Sequence, residues 1–484
     1  MSSFKPTIPN KPETFSLVVP GLSPAAASLS EQLLVQNNER FHIFFNDKKF
    51  HNHLIHHLLA AYSFGATKER IQEIFDFHAK DQRPLPPSIG EITRDNYKQH
   101  LGDAAAYTSF LNFFKLEVDR FGMLETVRRF VWSNDFLART VGGLYHPLIH
   151  IGYGLEFDIP GIVAEGLSMA ALTEPYFTPV IPHQPELNRS NLLPSQAQSL
   201  AENAHTVARG YVSQAFDQIT SQLAMRLGIA DEKTTSTAHQ DRSVDVDDNH
   251  GPDYMKNNSL FAIFNHIQKD PVFDNLVKST DDNKFKIILA NEKAVERVKH
   301  YVKQWGLNEN TKNIQAKFKE LYSVAAILTG AAGVRKDYPG VLRLSFFLVH
   351  VLTSTEFVHQ FISRVAPSEA VALLQAHLAE TIIYYVAEGR PEFYLEGLID
   401  YKPSVHTDSS QNQWLPVLDK ALERKEAHVI KAVRSCAVAQ VMYGPHGDPN
   451  LDLIWLRVAQ MAVDVDGNWD FDGVGFDDTW KQKA

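Results

Sequence analysis

Apolar residues recur along most of this chain at the three- and four-residue spacing of an α-helix. Clear strand pairs, in which two alternating β-branched runs flank an Asn-Gly or Asp-Gly turn, are missing. The pattern therefore predicts an all-α fold: a large helical, bundle-like domain with long connecting loops. The predicted helices cover 51–64, 67–78, 103–120, 124–140, 148–157, 196–227, 259–268, 285–304, 311–329, 341–363, 367–388, 415–435 and 449–463.

Two segments depart from the helical pattern. Residues 1–28 are rich in proline and serine and predict an extended lead-in, with the first helix starting at Ser28 or Ser30, since either can cap a helix. Residues 231–258 are polar and poorly periodic, which predicts a long loop, although a boundary between two helical halves also fits. We expect the extended segment 1–28 to be followed by a single large helical domain over 29–484.

The closing segment, GNWDFDGVGFDDTW over 467–480, is acidic but carries two tryptophans and two phenylalanines. That is more aromatic surface than a solvated tail usually has, so we expect the segment to dock onto the body of the protein. Its Asp-x-Asp spacing is compatible with calcium binding, but the EF-hand pattern with its terminal glutamate does not fit.

Composition narrows the classes of protein that are possible. Hydrophobic residues make up 44% and charged residues 21%, as in ordinary globular proteins, and the net charge is −10 without any Lys/Arg-rich run. This charge argues against a nucleic-acid partner. No apolar run approaches the roughly 20 residues of a membrane helix, and prolines interrupt the N-terminal apolar stretches. We expect a cytoplasmic protein without a membrane segment; the sequence carries no prediction of its oligomeric state.

Several sites are excluded by what the sequence lacks. A single cysteine, Cys436, cannot form an internal disulfide and cannot build a thiolate zinc or iron–sulfur site. GxGxxG after a strand, GxxxxGK[ST], GxSxG and HExxH are absent. These absences argue against a dinucleotide-binding domain, a P-loop, a nucleophile-elbow hydrolase and a metallopeptidase.

Histidines are concentrated in apolar segments. HNHLIHHLLAAYSFGA, residues 51–66, has four histidines in seven positions, with His53 and His57 on one helical face and His56 beside that face. In YHPLIHIGYGLEF, His146 and His150 are also four residues apart, and the proline between them is tolerated in a first helical turn.

Two further histidines, His350 and His377, each lie within a strongly apolar stretch. A buried imidazole without a partner costs about 1–3 kcal/mol, so each one must be hydrogen-bonded or coordinated. For any one of them, a core histidine bonded to a carbonyl is the commoner case. Four such segments together favour a histidine-rich metal centre between helices.

Sequence chemistry leaves the metal and its full ligand set open. Neutral imidazole suits iron, copper, zinc and nickel. A site of two histidines and one carboxylate is also possible, with Glu156 or Glu380 as the carboxylate, but no spacing requires it.

The ordered histidine segments resemble those of the questin oxidase-like family, enzymes of aromatic polyketide pathways. The matching stretches are HNHLIHHLLAAYSFGA, YHPLIHIGYGLEF, FFLVHVLTSTEFV, YYVAEGRPEF and WDFDGVGFDDTW. Each stretch is weak alone, but the ordered set runs from about residue 50 to residue 480 and is fairly specific.

The resemblance implies an oxygenase that opens the central ring of an anthraquinone such as questin with dioxygen, giving a benzophenone-type product. It also implies ferrous iron held by histidines, with NADPH as a possible external reductant. A flavin- or NADPH-dependent Baeyer–Villiger-type monooxygenase is the first alternative, although this chain lacks dinucleotide-binding motifs. The second alternative is a non-catalytic helical protein that binds metal structurally.

Carried over to this chain, the resemblance implies five metal ligands, with His56 and His57 in reserve for the first cluster. Three tyrosines near these ligands in sequence are candidates for orienting the substrate or relaying protons, although ordinary core tyrosines give the same pattern. The implied ligands are His53, His146, His150, His350 and His377, and the tyrosines are Tyr145, Tyr153 and Tyr384.

Overall fold

A computed structural model describes residues 3–7, 16–181, 259–405, 412–444 and 453–481 of the chain. Within these ranges the chain forms helices, and β-type pairing is limited to three isolated bridges. The predicted all-α fold is therefore confirmed. The predicted helix 196–227 and the predicted polar loop 231–258 lie outside the described residues.

The α-helices are numbered here in chain order over the described residues. Their bounds are α1 Pro24–Arg40, α2 Leu54–Ser63, α3 Lys68–Ala79, α4 Tyr107–Phe121, α5 Met123–Val131, α6 Phe136–Val141, α7 His146–Glu156, α8 Pro160–Leu172, α9 Leu260–Lys269, α10 Lys284–Ala290, α11 Glu292–Gln304, α12 Thr311–Gly330, α13 Phe346–Ile362, α14 Pro367–Ala387, α15 Leu395–Ile399, α16 Trp414–Glu423, α17 Ala427–Tyr443, α18 Ile454–Val465 and α19 Asp477–Lys481.

The first helix starts earlier than the sequence predicts. It begins at Pro24 rather than at Ser28 or Ser30, and the Ser23 side chain accepts a hydrogen bond from the Ala26 backbone N–H. Proline in a first turn and serine before it are favoured at helix starts, so this cap prevails over the later serines. Upstream, the buried Phe4 packs against Gly161 of α8, so part of the lead-in lies on the protein body.

Some predicted helices are two helices in the structure, because capping residues interrupt a run whose apolar periodicity continues. The Asn291 side chain accepts from the Ala294 N–H, and the Glu426 side chain accepts from the His428 N–H. Each starts a new helix without a proline or glycine to mark the break. The predicted helices divided in this way are 124–140, 285–304 and 415–435.

Helix α7 lies close to both α8 and α13 because glycines allow the helices to approach. A Cβ atom added at Gly152 of α7 would lie 2.4 Å from the Phe357 Cβ of α13. One added at Gly154 would lie 2.7 Å from the Val163 backbone nitrogen of α8. Contacts this close bring residues near the start of α7 beside those of α13.

One described helix, Pro367–Ala387, is long and apolar enough to cross a membrane by length and composition. The protein buries 89% of its most apolar window, which is the behaviour of a core helix.

The aromatic closing segment docks onto the body, as its composition predicts. Trp480 is buried, and Asp470 forms a buried ion pair with Arg343. The Asp470 N–H donates to the Leu344 carbonyl and the Phe346 N–H donates to the Asp470 carbonyl, each at 2.8 Å. These bonds hold the segment against the start of α13.

Candidate metal centre

Four histidines from four separate helices meet in the interior. His53 precedes α2, His146 is the first residue of α7, His350 lies in α13 and His428 lies in the first turn of α17. One ring nitrogen from each lies within 4.8 Å of the others, and His53 is partly exposed whereas the other three are buried. A single ion can therefore be reached by all four residues.

The Nε2 atoms of these histidines face each other. The distance from His53 Nε2 to His146 Nε2 is 2.8 Å, and that from His350 Nε2 to His428 Nε2 is 3.0 Å. Because hydrogen positions are inferred, the Nδ1 contacts decide which nitrogen carries the proton.

Each Nδ1 atom lies within hydrogen-bond distance of an oxygen. His53 Nδ1 is 2.7 Å from the His51 carbonyl, His146 Nδ1 is 2.7 Å from the Gly143 carbonyl and His350 Nδ1 is 2.6 Å from the Phe346 carbonyl. Since carbonyls only accept, these Nδ1 atoms carry the protons and the Nε2 atoms present lone pairs.

Converging lone pairs repel unless a cation lies between them. Imidazoles whose second nitrogen donates to a carbonyl or carboxylate are the usual arrangement around protein-bound metal ions. The donor set and its outer hydrogen bonds therefore fit a transition-metal ion of the kind that imidazole prefers.

The turn before α7 orients His146. Gly143, Leu144 and Tyr145 all have positive φ angles, of 59°, 56° and 59°. Leucine and tyrosine rarely adopt this conformation, and such strain is commonly stored at functional sites. The turn brings the Gly143 carbonyl beside His146 Nδ1, so the strained backbone fixes the direction of the ligand nitrogen.

Burial keeps these imidazoles neutral. It lowers the pKa of His53, His146 and His350 well below the usual value, and neighbouring histidines lower it further. Burial also lowers the pKa of His428, although less than for the others, because the Glu426 carboxylate opposes the shift. Neutral imidazole is the form that binds a metal ion.

Glu426 links the centre to the closing segment. Its Oε1 atom lies 2.5 Å from His428 Nδ1, and its Oε2 atom accepts a hydrogen bond of 2.8 Å from Trp469 Nε1. His428 is therefore the one member of the four whose outer partner is a carboxylate rather than a carbonyl.

Lys431 lies one turn after His428 in α17 and is fully buried. Its Nζ atom has no hydrogen-bond partner among the described residues, and burial lowers its pKa to about 7. It is also close enough to lower the pKa of all four clustered histidines.

His150, although predicted as a ligand, lies outside the group of four. Its Nε2 atom is 3.0 Å from Glu165 Oε2, and its Nδ1 atom is 3.2 Å from His56 Nε2. Both nitrogens therefore already have partners in α8 and α2. The structure does not bring His150 together with His53, His146 and His350.

His377 is also separate from the group. Its Nε2 atom is 2.8 Å from the Ser354 hydroxyl, and its ring stacks on Tyr145 at a centroid distance of 4.5 Å. This residue has the contacts of a core histidine, hydrogen-bonded and packed against an aromatic ring.

The two reserve histidines occupy different surroundings. His56 lies beside the group, with its ring 5.7 Å from that of His53, and its Nδ1 atom has no partner among the described residues. His57 points the other way, and its Nδ1 atom lies 3.0 Å from His78 Nε2 of α3. A cavity of about 350 Å³ on that side is lined by His57 together with charged residues of α3.

The three predicted catalytic tyrosines are buried, and burial raises the pKa of each hydroxyl. Tyr145 lies 3.0 Å from the Thr381 hydroxyl, and Tyr384 donates to Glu380. The Tyr153 hydroxyl has no partner among the described residues, and its ring stacks on His56 at 5.3 Å.

Neither candidate carboxylate joins the four histidines. Glu156 pairs with Arg434 in a buried ion pair, which also includes Glu356. Burial raises the pKa of Glu380 well above the usual value, so this carboxyl is protonated where it meets Tyr384.

His428 was missed by the sequence reasoning. It follows the polar run LERKEA, so it has the surroundings of a solvated helix face rather than of an apolar stretch. The one available signal was the buried helix AHVIKAVRSCAVA, which carries a histidine near its start as α7 does.

The fold and the site together define an all-helical protein with a buried four-histidine cluster suited to a transition-metal ion. The sequence profile of the questin oxidase-like family matches residues 50–436. The chain belongs to this family, as its histidine segments predict.

Curated relatives extend the similarity over nearly the whole chain. Questin oxidase from Aspergillus terreus is 23% identical over 94% of this chain and 92% of its own length. Baeyer–Villiger monooxygenase AacuH from Aspergillus aculeatus is 24% identical over 96% of this chain and 91% of its own. Baeyer–Villiger monooxygenase dmxR6 from Cryptosporiopsis sp. is 37% identical over 30% of this chain and 35% of its own.

Proposed function

We propose that this protein is an oxygenase that cleaves a carbon–carbon bond of an anthraquinone-type aromatic polyketide, using ferrous iron bound by His53, His146, His350 and His428. The observation that carries the proposal is the convergence of four Nε2 lone pairs, each fixed by an Nδ1 hydrogen bond. The relatives named for oxidation of questin and for Baeyer–Villiger reactions support the substrate class and the use of oxygen.

Iron is preferred over zinc because zinc has no redox chemistry. A ferrous ion in this cluster would supply the electron transfer to dioxygen that a closed-shell aromatic substrate requires. The protein contributes four neutral donors, which leave the positive charge of the ion uncompensated and favour a deprotonated phenol beside it. Burial of three of the four histidines keeps bulk water from the centre.

Among the three candidate tyrosines, Tyr153 is best placed to contact a substrate. Its hydroxyl has no partner among the described residues, whereas those of Tyr145 and Tyr384 already bond to Thr381 and Glu380. At neutral pH the raised pKa keeps the Tyr153 hydroxyl protonated, so it can donate a hydrogen bond to a quinone or phenolate oxygen.

The external reductant follows from the number of oxygen atoms inserted. Insertion of both atoms of dioxygen needs no added electrons, whereas insertion of one atom requires two electrons, which NADPH can provide. A Baeyer–Villiger-type monooxygenase working through flavin or NADPH is the alternative suggested by the names of the relatives.

The test is incubation of iron-loaded protein with questin under ¹⁸O₂, with and without NADPH, followed by mass spectrometry of the product. The proposal predicts an oxygen-dependent, ring-opened product that requires iron. Turnover by iron-free protein supplied with flavin and NADPH would instead support the alternative. Iron binding without turnover of questin or related anthraquinones would support a structural metal site.

A further inference from the structure

The closing segment contacts the four-histidine cluster from outside the part of the chain that the family profile matches. That match ends at residue 436, whereas Trp469 hydrogen-bonds Glu426, the outer partner of His428. Two residues further on, Phe471 lies against Phe346 at the start of α13. The segment is therefore part of the surroundings of the centre.

Phe471 has an unusual combination of contact and exposure. Its ring stacks on Phe346 with centroids 4.4 Å apart and an interplanar angle of 29°, yet 52% of the residue is exposed to solvent. An exposed phenylalanine next to a buried functional site is more typical of a ligand-contacting surface than of a core.

Phe346 connects this exposed ring to the centre. Its ring lies edge-on to His350 at 4.7 Å and to His428 at 5.0 Å, and these are two of the four clustered histidines. The order from solvent to centre is therefore Phe471, then Phe346, then the two imidazoles. A molecule that contacts Phe471 is one aromatic ring away from the ligand histidines.

The backbone holds Phe471 in place from both sides. Asp470 is fixed by its ion pair with Arg343, and its side chain accepts hydrogen bonds of 3.0 Å from the N–H groups of Asp472 and Gly473. Gly473 has a φ angle of 103°, which favours glycine and ends the turn. The exposed ring is thus presented by a fixed turn, which lowers the entropy that is lost when a ligand binds.

We propose that Phe471, supported by Phe346, forms the aromatic wall on which a planar polycyclic substrate stacks as it enters the four-histidine centre. This inference rests on the proposed function and assigns a specificity-determining residue outside the matched region. A fused-ring quinone presents a large flat face, and offset stacking on a phenylalanine is favourable at centroid distances like that between Phe471 and Phe346.

The experiment measures questin binding and turnover by iron-loaded wild type, Phe471→Ala and Phe471→Leu. Loss of one stacking partner should weaken questin binding and raise KM by about three- to tenfold in Phe471→Ala, with kcat and iron content unchanged. Phe471→Leu keeps an apolar side chain and should recover only part of the affinity, whereas Phe471→Trp should restore it. Leu415→Ala, at a residue 63% exposed in α16, is the matched control and should bind as wild type does.

Affinity of Phe471→Ala within a factor of about two of wild type, in protein with the wild-type melting temperature, overturns this inference and leaves the proposed function standing. An equal loss in Leu415→Ala also overturns it, because the effect would then be non-specific. If iron-loaded wild type neither binds nor converts questin, the proposed function itself fails and the aromatic wall has no assigned ligand. A selective loss in Phe471→Ala together with partial recovery in Phe471→Leu supports stacking at this position.

Discussion

Replacing Glu426 with glutamine tests whether the outer hydrogen bonds of the cluster serve a metal ion. Burial alone would raise the pKa of Glu426, but His428 and Trp469 outweigh it and lower the pKa to about 2, so the residue is a carboxylate at neutral pH. It accepts from His428 Nδ1 at 2.5 Å, and the negative charge makes Nε2 a stronger donor. Glu426→Gln retains an oxygen of similar size but removes the charge.

The expected loss is about ten- to a hundredfold in metal affinity, the usual effect of changing an outer partner of a ligand histidine. This corresponds to about 1.4–2.7 kcal/mol of binding free energy. The assay is chelator competition for iron at fixed pH, with the melting temperature of the metal-free protein as a check on folding. Glu423→Gln is the matched control, because Glu423 is an exposed residue at the end of α16 that pairs only with Lys420 and other solvated groups.

Affinity of Glu426→Gln within a factor of about two of wild type, in folded protein, would refute the reasoning. The hydrogen bond to His428 would then be structural only. An equal loss of affinity in Glu423→Gln would show that the change in net charge, rather than the contact with His428, controls metal binding.

Three further outcomes follow from the packing and the pKa shifts. Gly152→Ala should lower the free energy of unfolding by about 1–3 kcal/mol and weaken metal binding, because the added methyl meets Phe357 and separates α7 from α13; an unchanged melting temperature would contradict this. Burial raises the pKa of Glu388 to about 7 from 4.5, so the unfolded chain ionises first and stability falls as pH rises between these values. Glu388→Gln should therefore stabilise at pH 8, by on the order of 3 kcal/mol, and have little effect near pH 4, and an equal gain at both pH values in denaturant titrations would contradict this assignment. His377→Gln should retain full iron content, since His377 bonds Ser354 and lies outside the group of four; a metal-free variant would contradict that placement.

The fold class could be predicted because helical periodicity is a local property of the chain. Helix boundaries were less accessible, since the breaks before α11 and α17 depend on the side-chain caps Asn291 and Glu426 rather than on proline or glycine. A capping asparagine or glutamate looks like any polar position on the exposed face of a continuous helix. The split of 415–435 had a direct consequence, because it places His428 in a first turn.

Three of the clustered histidines were predicted because His53, His146 and His350 occupy apolar segments. Spacing alone could not distinguish His146 from His150, since residues four apart share a helix face. What separates them is Glu165, which approaches from α8 and takes the Nε2 atom of His150. Tertiary partners of this kind, like the polar surroundings of His428 in sequence, are visible only once the helices are assembled.

The central claim is that His53, His146, His350 and His428 together hold one metal ion. The most direct measurement is elemental analysis of ferrous-loaded, gel-filtered wild type and of His428→Ala, with His150→Ala as the matched buried-histidine control. The account predicts about one iron per chain in wild type and in folded His150→Ala, and a large loss in folded His428→Ala. Full iron content in His428→Ala together with its loss in His150→Ala would contradict the account, because the ion would then lie in a different group of histidines.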